Sequence, residues 1–325
     1  MPDYYHRTMT LFLTESDVQQ LLPMSAAMER VEAALRQQGF GRTTNQPRRR
    51  VQAPPISLNV MFAAQPEERV LGLKTYTVGP SGANFHVLLY SADDGHLLCV
   101  LQANCLGQIR TGAASGIATR YLARADAHVH TVFGTGWQAR TQVEAVCHAR
   151  QIEEVRCYSR NPENRSRFAA EMSAILGVRM VAARSPRQAV DGADIVTTIT
   201  NAREPVFEGD WLTAGTHLNV AGSNSLLKRE IDETTVRRAA VIVVDDRHAV
   251  PLECGDLLAP LEKGTVYPEA LVELGEVVAG HHPGRTSPEQ ITLFKSHGMA
   301  LEDVAVAAYV YRAARERGLG VELPV

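Results

Sequence analysis

The residues whose types and spacing are best suited to chemistry form the run Gly134-Thr135-Gly136-Trp137-Gln138-Ala139. This run follows a short strand-like segment, His128–Phe133, and precedes a helix-like segment. The first glycine permits a tight turn, the second lets the backbone approach a pyrophosphate, and the small third residue allows close packing of helix and strand. The N–H groups at the start of the helix then offer hydrogen bonds to phosphates. We predict that all six residues contact a dinucleotide; an ordinary glycine turn is the alternative.

The end of the second predicted strand indicates which dinucleotide binds. Proteins that prefer NAD usually place Asp or Glu there, about 20 residues after the glycines, to bind the ribose 2′-hydroxyl. This chain has Tyr158-Ser159-Arg160-Asn161 instead, with Arg165 one turn later. A hydroxyl and a guanidinium suit a 2′-phosphate. We predict that Ser159, Arg160, Asn161 and Arg165 bind the cofactor and that it is NADP, with NAD as the alternative; a solvated surface arginine is the competing interpretation.

Polar side chains lie at the end of the fourth predicted strand, and they are Thr197, Thr198, Thr200 and Asn201. Ligands bind at the carboxyl ends of strands in doubly wound folds, so Thr198 and Thr200 are predicted cofactor contacts. Threonine is also a good strand former, and a purely structural role is equally consistent with the sequence.

The elements that position these residues alternate along the second half of the chain. Helix-like segments separate several strand-like ones, which are Val155–Tyr158, Arg179–Ala182, Ile195–Thr200, His217–Ala221 and Val241–Val244. Alternation of this kind is typical of a parallel, doubly wound α/β sheet.

The first 120 residues indicate a mixed α+β unit. Thr14 and Asp17 form a capping-box pattern, and the segment from Ser25 to about Gln38 reads as a second helix. The turn Ala92-Asp93-Asp94-Gly95 predicts a hairpin. Four strand-like runs precede a glycine- and alanine-rich helix, Leu106–Ala123, and they are Ser57–Phe62, Val70–Val78, Phe85–Ser91 and Leu97–Gln102. A last helix runs from Leu301 to about Arg317.

Composition excludes several classes of protein. The 325 residues carry a net charge of -3, which gives no sign of the basic surface that a nucleic-acid partner requires. The five cysteines include no Cys-x-x-Cys pair, and His281-His282 has no evident third ligand, so we predict no metal site. Neither a secretory leader nor an apolar run long enough for a membrane helix is evident. We expect no membrane association and a cytoplasmic location.

Taken in order, six segments of the chain resemble the ornithine cyclodeaminase/μ-crystallin family over nearly its whole length. They are Gln46-Pro47-Arg48-Arg49, Gly72-Leu73-Lys74-Thr75, Arg110-Thr111-Gly112-Ala113-Ala114, Gly134–Ala139, Gly192-Ala193-Asp194-Ile195 and Phe294–Asp303. The resemblance implies a Rossmann-type doubly wound sheet plus an α+β substrate-binding and dimerisation domain. It implies residues 1–122 with 304–325 for the latter and 123–303 for the former. It also implies a homodimer and a nicotinamide cofactor.

The resemblance further implies a substrate site. Arg49 and Arg110 match the positions that bind the substrate α-carboxylate, and a one-place shift in the arginine run would point to Arg48 or Arg50 instead. Two guanidiniums give planar, bidentate recognition of a carboxylate. Lys74 is the implied acid or hydrogen-bond donor to the substrate. Strand alternation between Leu73 and Thr75 turns Lys74 away from the apolar face, so an exposed strand lysine is the alternative.

Asn224 is an informative departure from the family pattern. Ornithine cyclodeaminases and several alanine dehydrogenases of the family have aspartate here, and an amide cannot take a proton or pair with a substrate ammonium. Ser223 and Asn224 are predicted to hydrogen-bond a neutral or cyclic substrate, with Asn224 in the catalytic position. Lys295 and Ser296 match a segment near the nicotinamide and are predicted cofactor contacts. Asp256 reads as a turn residue.

Together these features predict an enzyme, an NAD(P)-dependent oxidoreductase that reduces the C=N bond of a small α-imino acid, such as pyrroline-2-carboxylate or piperideine-2-carboxylate. An ornithine cyclodeaminase or alanine dehydrogenase is the first alternative. A binder of NADPH and a hydrophobic carboxylate, like the crystallin member, is the second.

Overall fold

The computed structural model describes residues 9–324, which form two compact units. One unit contains the described residues up to Arg110 together with those from Met299 onward, and the other contains Thr111–Gly298. Each unit is built around one β-sheet. The domain boundaries that the sequence predicts, after residue 122 and after residue 303, stay a prediction.

The described chain up to Leu122 contains one short strand, two helices, five further strands and a third helix. In order, the elements are β1 (Thr10–Leu13), α1 (Glu15–Leu21), α2 (Met24–Gly39), β2 (Thr44–Ala53), β3 (Ile56–Gln65), β4 (Val70–Gly79), β5 (Gly82–Ser91), β6 (Leu97–Gln102) and α3 (Asn104–Leu122). The predicted capping box is confirmed, because the Asp17 N–H donates to the Thr14 hydroxyl and the Thr14 N–H donates to the Asp17 carboxylate.

From Val129 onward strands and helices alternate. These elements are β7 (Val129–Phe133), α4 (Trp137–Ala149), β8 (Glu154–Tyr158), α5 (Pro162–Leu176), β9 (Arg179–Ala182), α6 (Pro186–Val190), β10 (Ile195–Thr198), β11 (His217–Val220), α7 (Glu233–Arg238), β12 (Ala239–Val244), α8 (Val250–Glu253), α9 (Gly255–Glu262), β13 (Val272–Glu273), α10 (Leu274–Val278), β14 (Ile291–Lys295), α11 (Ala300–Arg317) and β15 (Val321–Leu323).

The sheet of the first unit has the strand order β15-β1-β6-β5-β4-β3-β2. Its pairs are antiparallel except β1 with β6, and the predicted hairpin joins β5 to β6. Helix α11 covers one face so closely that a Cβ at Gly72 would lie 2.6 Å from a methyl group of Val304. The opposite face exposes large apolar side chains, among them Leu58, Phe62 and Leu71.

The second sheet is parallel throughout, in the order β13-β12-β14-β11-β10-β7-β8-β9. The chain moves outward from β7 to β9 and returns to β10, so the strand order reverses between β7 and β10. Successive residues of β7, Val132 and Phe133, enter different hydrophobic clusters, which shows that helices and loops bury both faces. The predicted doubly wound fold is confirmed.

Strand β14 was not among the strands predicted from the sequence, although it lies inside the sheet between β11 and β12. All five of its residues are buried, so its pattern does not alternate. None of the helices formed by residues 9–324 combines the length and hydropathy needed to cross a membrane.

Candidate active site

The turn between β7 and α4 has the geometry of a phosphate-binding loop. Gly134 has a φ of +106°, and a Cβ there would collide with the carbonyl oxygen of Ile199, so only glycine fits this turn. A Cβ at Gly136 would meet no atom within 4 Å, and no side chain caps the start of α4. The turn therefore leaves space and N–H donors for a pyrophosphate at a helix N-terminus. Ala139 is fully buried against the sheet, as predicted.

Beyond the turn, the end of β8 is hydrogen-bonded to it. Thr135 donates its hydroxyl to Ser159 at 2.9 Å, which brings two predicted contacts together. Arg165 donates to the Ser159 carbonyl at 3.0 Å and lies 5.3 Å from the ring centre of Tyr158, so its guanidinium is held locally. Arg160 is exposed, and within residues 9–324 it has no ion-pair partner. The cofactor contacts predicted for Arg160 and Arg165 stay predictions.

Three other predicted cofactor contacts have distinct surroundings. Asn161 caps α5, because its side-chain oxygen accepts the Asn164 N–H at 2.8 Å. Trp137 is half exposed at the start of α4. The buried Oε1 of Gln138 accepts no hydrogen bond from any described residue, which is consistent with a missing polar ligand beside this helix terminus.

A buried carboxylate joins the ends of β10 and β11. Glu230 accepts hydrogen bonds from the Thr198 hydroxyl at 2.9 Å, from the Thr200 N–H and hydroxyl at 2.6 and 2.8 Å, and from the Gly222 N–H at 2.7 Å. Burial raises the pKa of Glu230. The predicted cofactor contacts Thr198 and Thr200 thus direct their hydroxyls to Glu230, while Thr197 contacts the core His130 at 2.9 Å.

Lys295 lies at the end of β14 and is completely buried. Its Nζ donates to the Ser223 carbonyl at 2.7 Å and lies 3.0 Å from the Asp256 carboxylate. Asp256 in turn accepts the Glu230 N–H at 2.6 Å. Burial lowers the pKa of Lys295, but neighbouring charges, led by Asp256, outweigh it and raise that pKa. The prediction that Asp256 is only a turn residue is therefore wrong. Asp256 lies in the first turn of α9, and its carboxylate balances the buried Lys295 ammonium.

Ser296 contacts a second buried ion pair, which is formed by Asp245 and His297. Its hydroxyl donates to Asp245 at 3.2 Å, and the same carboxylate oxygen accepts the N–H groups of His297 and Gly298, each at 2.6 Å. The other oxygen is 3.0 Å from His297 Nδ1. Burial would lower the pKa of His297, but nearby groups including Asp245 raise it to about 9. The Ser296 side chain thus helps to hold this turn.

Ser223 and Asn224, which were predicted to bind the substrate, follow β11. Ser223 is buried and its hydroxyl donates to the Ser225 carbonyl at 3.4 Å, whereas Asn224 is half buried. Lys295 holds this segment through the Ser223 carbonyl. The substrate contacts predicted for Ser223 and Asn224 stay predictions.

In the first unit, Lys74 is buried on the face of β4 that α11 covers, with 3% of its surface exposed. Its Nζ donates to Asp303 at 2.8 Å and lies 5.2 Å from the ring centre of Phe85. Lys74 lies on the buried face of β4 and Leu71 and Leu73 on the more exposed one, the reverse of what strand alternation predicts. Burial is the main cause that lowers the pKa of Lys74, to about 8.

Arg110 and Lys74 share one carboxylate. Arg110 Nε donates to the Asp303 oxygen that Lys74 binds, at 3.1 Å, and Arg110 Nη1 donates to Glu302 at 2.6 Å. Neither acid was among the predicted site residues. Their sequence signal is an acidic pair in the first turn of a helix, α11, whose other residues up to Ala308 are all apolar and buried.

In the arginine run of β2, Arg48 is the residue on the buried face of the sheet. Arg48 is 5% exposed, whereas Arg49 is exposed. The Arg48 guanidinium lies 5.9 Å from the ring centre of Tyr76, which follows Lys74 by two positions on β4. Arg49 pairs with Val60, whose neighbours on β3 point to the buried face, and the register shifts between Gln46 and Arg49. The bulge turns Arg48, the one-place alternative, to the face that bears Lys74, and the substrate contact predicted for Arg49 stays a prediction.

The fold and the site are those of a dinucleotide-binding protein. Its other unit brings arginine, lysine and acidic side chains together. A sequence profile of the ornithine cyclodeaminase/mu-crystallin family matches residues 8–318. The Δ1-pyrroline-2-carboxylate reductase of Bacillus cereus is 38% identical over 258 residues, which are 77% of this chain and 79% of that enzyme.

Two solved structures are similar over almost the whole chain. One is Δ1-pyrroline-2-carboxylate reductase of Thermococcus litoralis in complex with NADH and L-proline, with a TM-score of 0.92 and 35% identity over 97% of this chain and 100% of that one. The other is an archaeal alanine dehydrogenase dimer with bound NAD, with a TM-score of 0.91 and 32% identity over 97% and 99%. The chain belongs to the ornithine cyclodeaminase/mu-crystallin family, and it is an NAD(P)-dependent oxidoreductase.

Proposed function

We propose that this protein reduces the C=N bond of a small cyclic α-imino acid to the corresponding amino acid. The observation that carries the proposal is the buried Lys74 ammonium beside the guanidinium of Arg110, with Arg48 on the same face. Similarity to two pyrroline-2-carboxylate reductases, one of them solved with L-proline, supports this substrate class.

The side chains of the first unit supply recognition and a proton. Arg48 and Arg110 bind the substrate carboxylate, since guanidiniums match its planar geometry. Lys74 then donates a proton from Nζ to the imine nitrogen. A pKa of about 8 leaves Lys74 mostly protonated at neutral pH and makes its ammonium a stronger acid than an ordinary lysine. A bound, reduced nicotinamide would supply the hydride for the imine carbon, which with the proton from Lys74 would convert C=N to H–C–N–H.

Asn224 argues against the cyclodeaminase. Its amide has no useful titration and cannot balance the second ammonium of ornithine, whereas a cyclic imine has no such ammonium. We therefore place the imine reductase ahead of the lyase, the alanine dehydrogenase and a non-enzymatic binder.

A single spectrophotometric screen tests the proposed function. We expect steady NADPH consumption with pyrroline-2-carboxylate or piperideine-2-carboxylate, slower consumption with pyruvate plus ammonium, and negligible ammonia release from ornithine with saturating cofactor. Faster turnover of pyruvate would assign an alanine dehydrogenase, and efficient conversion of ornithine to proline would show that the weight given to Asn224 is wrong. Tight cofactor binding with no turnover of any substrate would favour the binder.

NADP is the cofactor that we propose, on the strength of this chain's own residues. The end of β8 carries no acidic side chain, and the exposed Arg160 faces no competing partner among the described residues. One charge-assisted hydrogen bond is worth roughly 1.5–3 kcal/mol, or about tenfold to a hundredfold in affinity. The solved relatives hold NADH and NAD, so this preference is a property to be measured.

Arg160→Ala should weaken NADPH binding about tenfold or more and leave NADH binding nearly unchanged, because only NADPH carries the 2′-phosphate. Fluorescence titrations of both cofactors measure the difference. Arg167→Ala serves as the control, because it removes an exposed arginine from within α5, the helix that follows Arg160. It should change neither affinity. Tighter binding of NADH than of NADPH to the wild-type protein would refute the preference.

A homodimer is part of the same proposal. The exposed apolar side chains on the first sheet, which include Phe62 and Leu71, form a surface that a second copy would bury. Sedimentation velocity distinguishes a dimer from a 35.5 kDa monomer, and Phe62→Asp should favour the monomer. A wild-type protein that sediments as a monomer at assay concentrations would contradict it.

A further inference from the structure

One carboxylate oxygen holds two of the three cations that we propose for the substrate site. Asp303 Oδ1 accepts from Lys74 Nζ at 2.8 Å and from Arg110 Nε at 3.1 Å. Asp303 is fully buried, and its other oxygen, Oδ2, has no hydrogen-bond partner among the described residues. Glu302, the preceding residue, contacts Arg110 but makes no ion pair with Lys74. The two adjacent acids therefore have separable contacts.

We propose that Asp303 is a positioning residue for the reduction: it fixes the Lys74 proton donor relative to the carboxylate-binding Arg110 and keeps Lys74 protonated. The inference rests on the proposed function for its catalytic meaning, but the contacts among the three side chains do not depend on the substrate. Asp303 and Glu302 have different tasks, since Asp303 contacts both Lys74 and Arg110 whereas Glu302 forms no ion pair with Lys74.

The first turn of α11 is anchored well enough for this task. The Leu301 N–H donates to the Asn45 side chain at 3.2 Å, and Gln65 donates to the Leu301 carbonyl at 3.4 Å. Val304 fits against Gly72, where no Cβ could be accommodated without movement. Strands β2, β3 and β4 thus fix the backbone on both sides of Asp303, so its short side chain has little freedom to follow a mobile lysine.

Among the groups that shift the pKa of Lys74 most, only Asp303 raises it. Burial lowers this pKa most, Asp303 opposes burial, and Arg110 on α3 and Arg48 on β2 lower it further, with a net value of about 8. Glu302 contacts Arg110 and forms no ion pair with Lys74. The residues paired with Lys74 on β3 and β5, Met61 and Val87, do not titrate, and neither does Phe85, whose ring lies near Nζ.

The pH dependence of kcat/KM tests the proposal with two matched variants. In the wild type, activity should fall above pH 8 as Lys74 loses its proton. Asp303→Asn keeps the size and one acceptor but removes the charge, so the alkaline limb should move down by about one pH unit or more. Glu302→Gln should raise KM severalfold through Arg110 and leave the limb in place.

Titration of Lys74 by heteronuclear NMR, with a Lys74→Met sample for assignment, measures the same shift without substrate. A wild-type protein that reduces no imine would refute the proposed function, yet a lower Lys74 midpoint in Asp303→Asn would still support this inference. Unchanged midpoints and an unchanged alkaline limb in Asp303→Asn would overturn it. Should Asp303→Asn fail to fold, Asp303→Glu keeps the charge: we expect the wild-type limb with a lower kcat, and a displaced limb would contradict the assignment.

Discussion

Lys74→Met should reduce the imine at least a hundredfold more slowly than the wild type and bind the cofactor with unchanged affinity. Loss of a general acid typically costs about 10²–10⁴ in rate. Methionine fills nearly the same volume, and Asp303 keeps its contact with Arg110, so the buried carboxylate is not left without a cation. The residues that we propose for the cofactor belong to the other unit, so we expect its affinity to stay the same.

Steady-state kinetics at pH 7 together with cofactor titration separate the two effects. Lys74→Arg is the informative companion, because arginine keeps the positive charge but does not release its proton near neutral pH. It should restore substrate binding better than turnover. If Lys74→Met retained wild-type kcat in a correctly folded protein, Lys74 would not be the proton donor.

Lys295→Met should lower the free energy of unfolding by about 3–5 kcal/mol, the usual cost of removing one partner from a buried ion pair. The lost ammonium leaves the Asp256 carboxylate buried without its cation and leaves the Ser223 carbonyl without its donor. Glu230 lies in the same network and contributes a further buried carboxylate. Stability should fall even before cofactor is added.

Urea unfolding of the cofactor-free protein measures this change. Adding Asp256→Asn to Lys295→Met removes the uncompensated charge while keeping an acceptor for the Glu230 N–H, so the double variant should recover much of the loss. Lys263→Met is the control, since that exposed lysine pairs with Glu233 at the surface and should contribute at most about 1 kcal/mol. Equal losses for Lys295→Met and Lys263→Met would show that the buried pair adds no stability.

The sequence by itself determined the elements whose signals are local. The glycine turn at Gly134, the capping box at Thr14 and the hairpin after Ser91 each depend on a few adjacent residues, and each appears where it was predicted. Alternating strands and helices were enough to predict the parallel sheet, because parallel strands require crossover connections. The six matching segments, in their order, were enough to predict the family.

Other features depended on contacts that no local pattern encodes. Strand β14 has no alternation because both of its faces are covered. Arg48 rather than Arg49 faces inward because the register of β2 shifts against β3, and a one-residue slip exchanges the two faces of a strand. The buried side of β4, and with it the environment of Lys74, depends on where α11 packs.

The acidic partners of the site were decided by tertiary structure alone. Asp303 is 229 positions from Lys74 and 193 from Arg110, and Asp256, in a loop-like stretch of sequence, pairs with a lysine at the end of β14. A buried charge is stable only when another charge or a set of donors lies within a few ångströms, and folding chooses those partners from distant parts of the chain. The residue types that could do chemistry were therefore visible in the sequence, whereas their protonation and mutual positions were set by the fold.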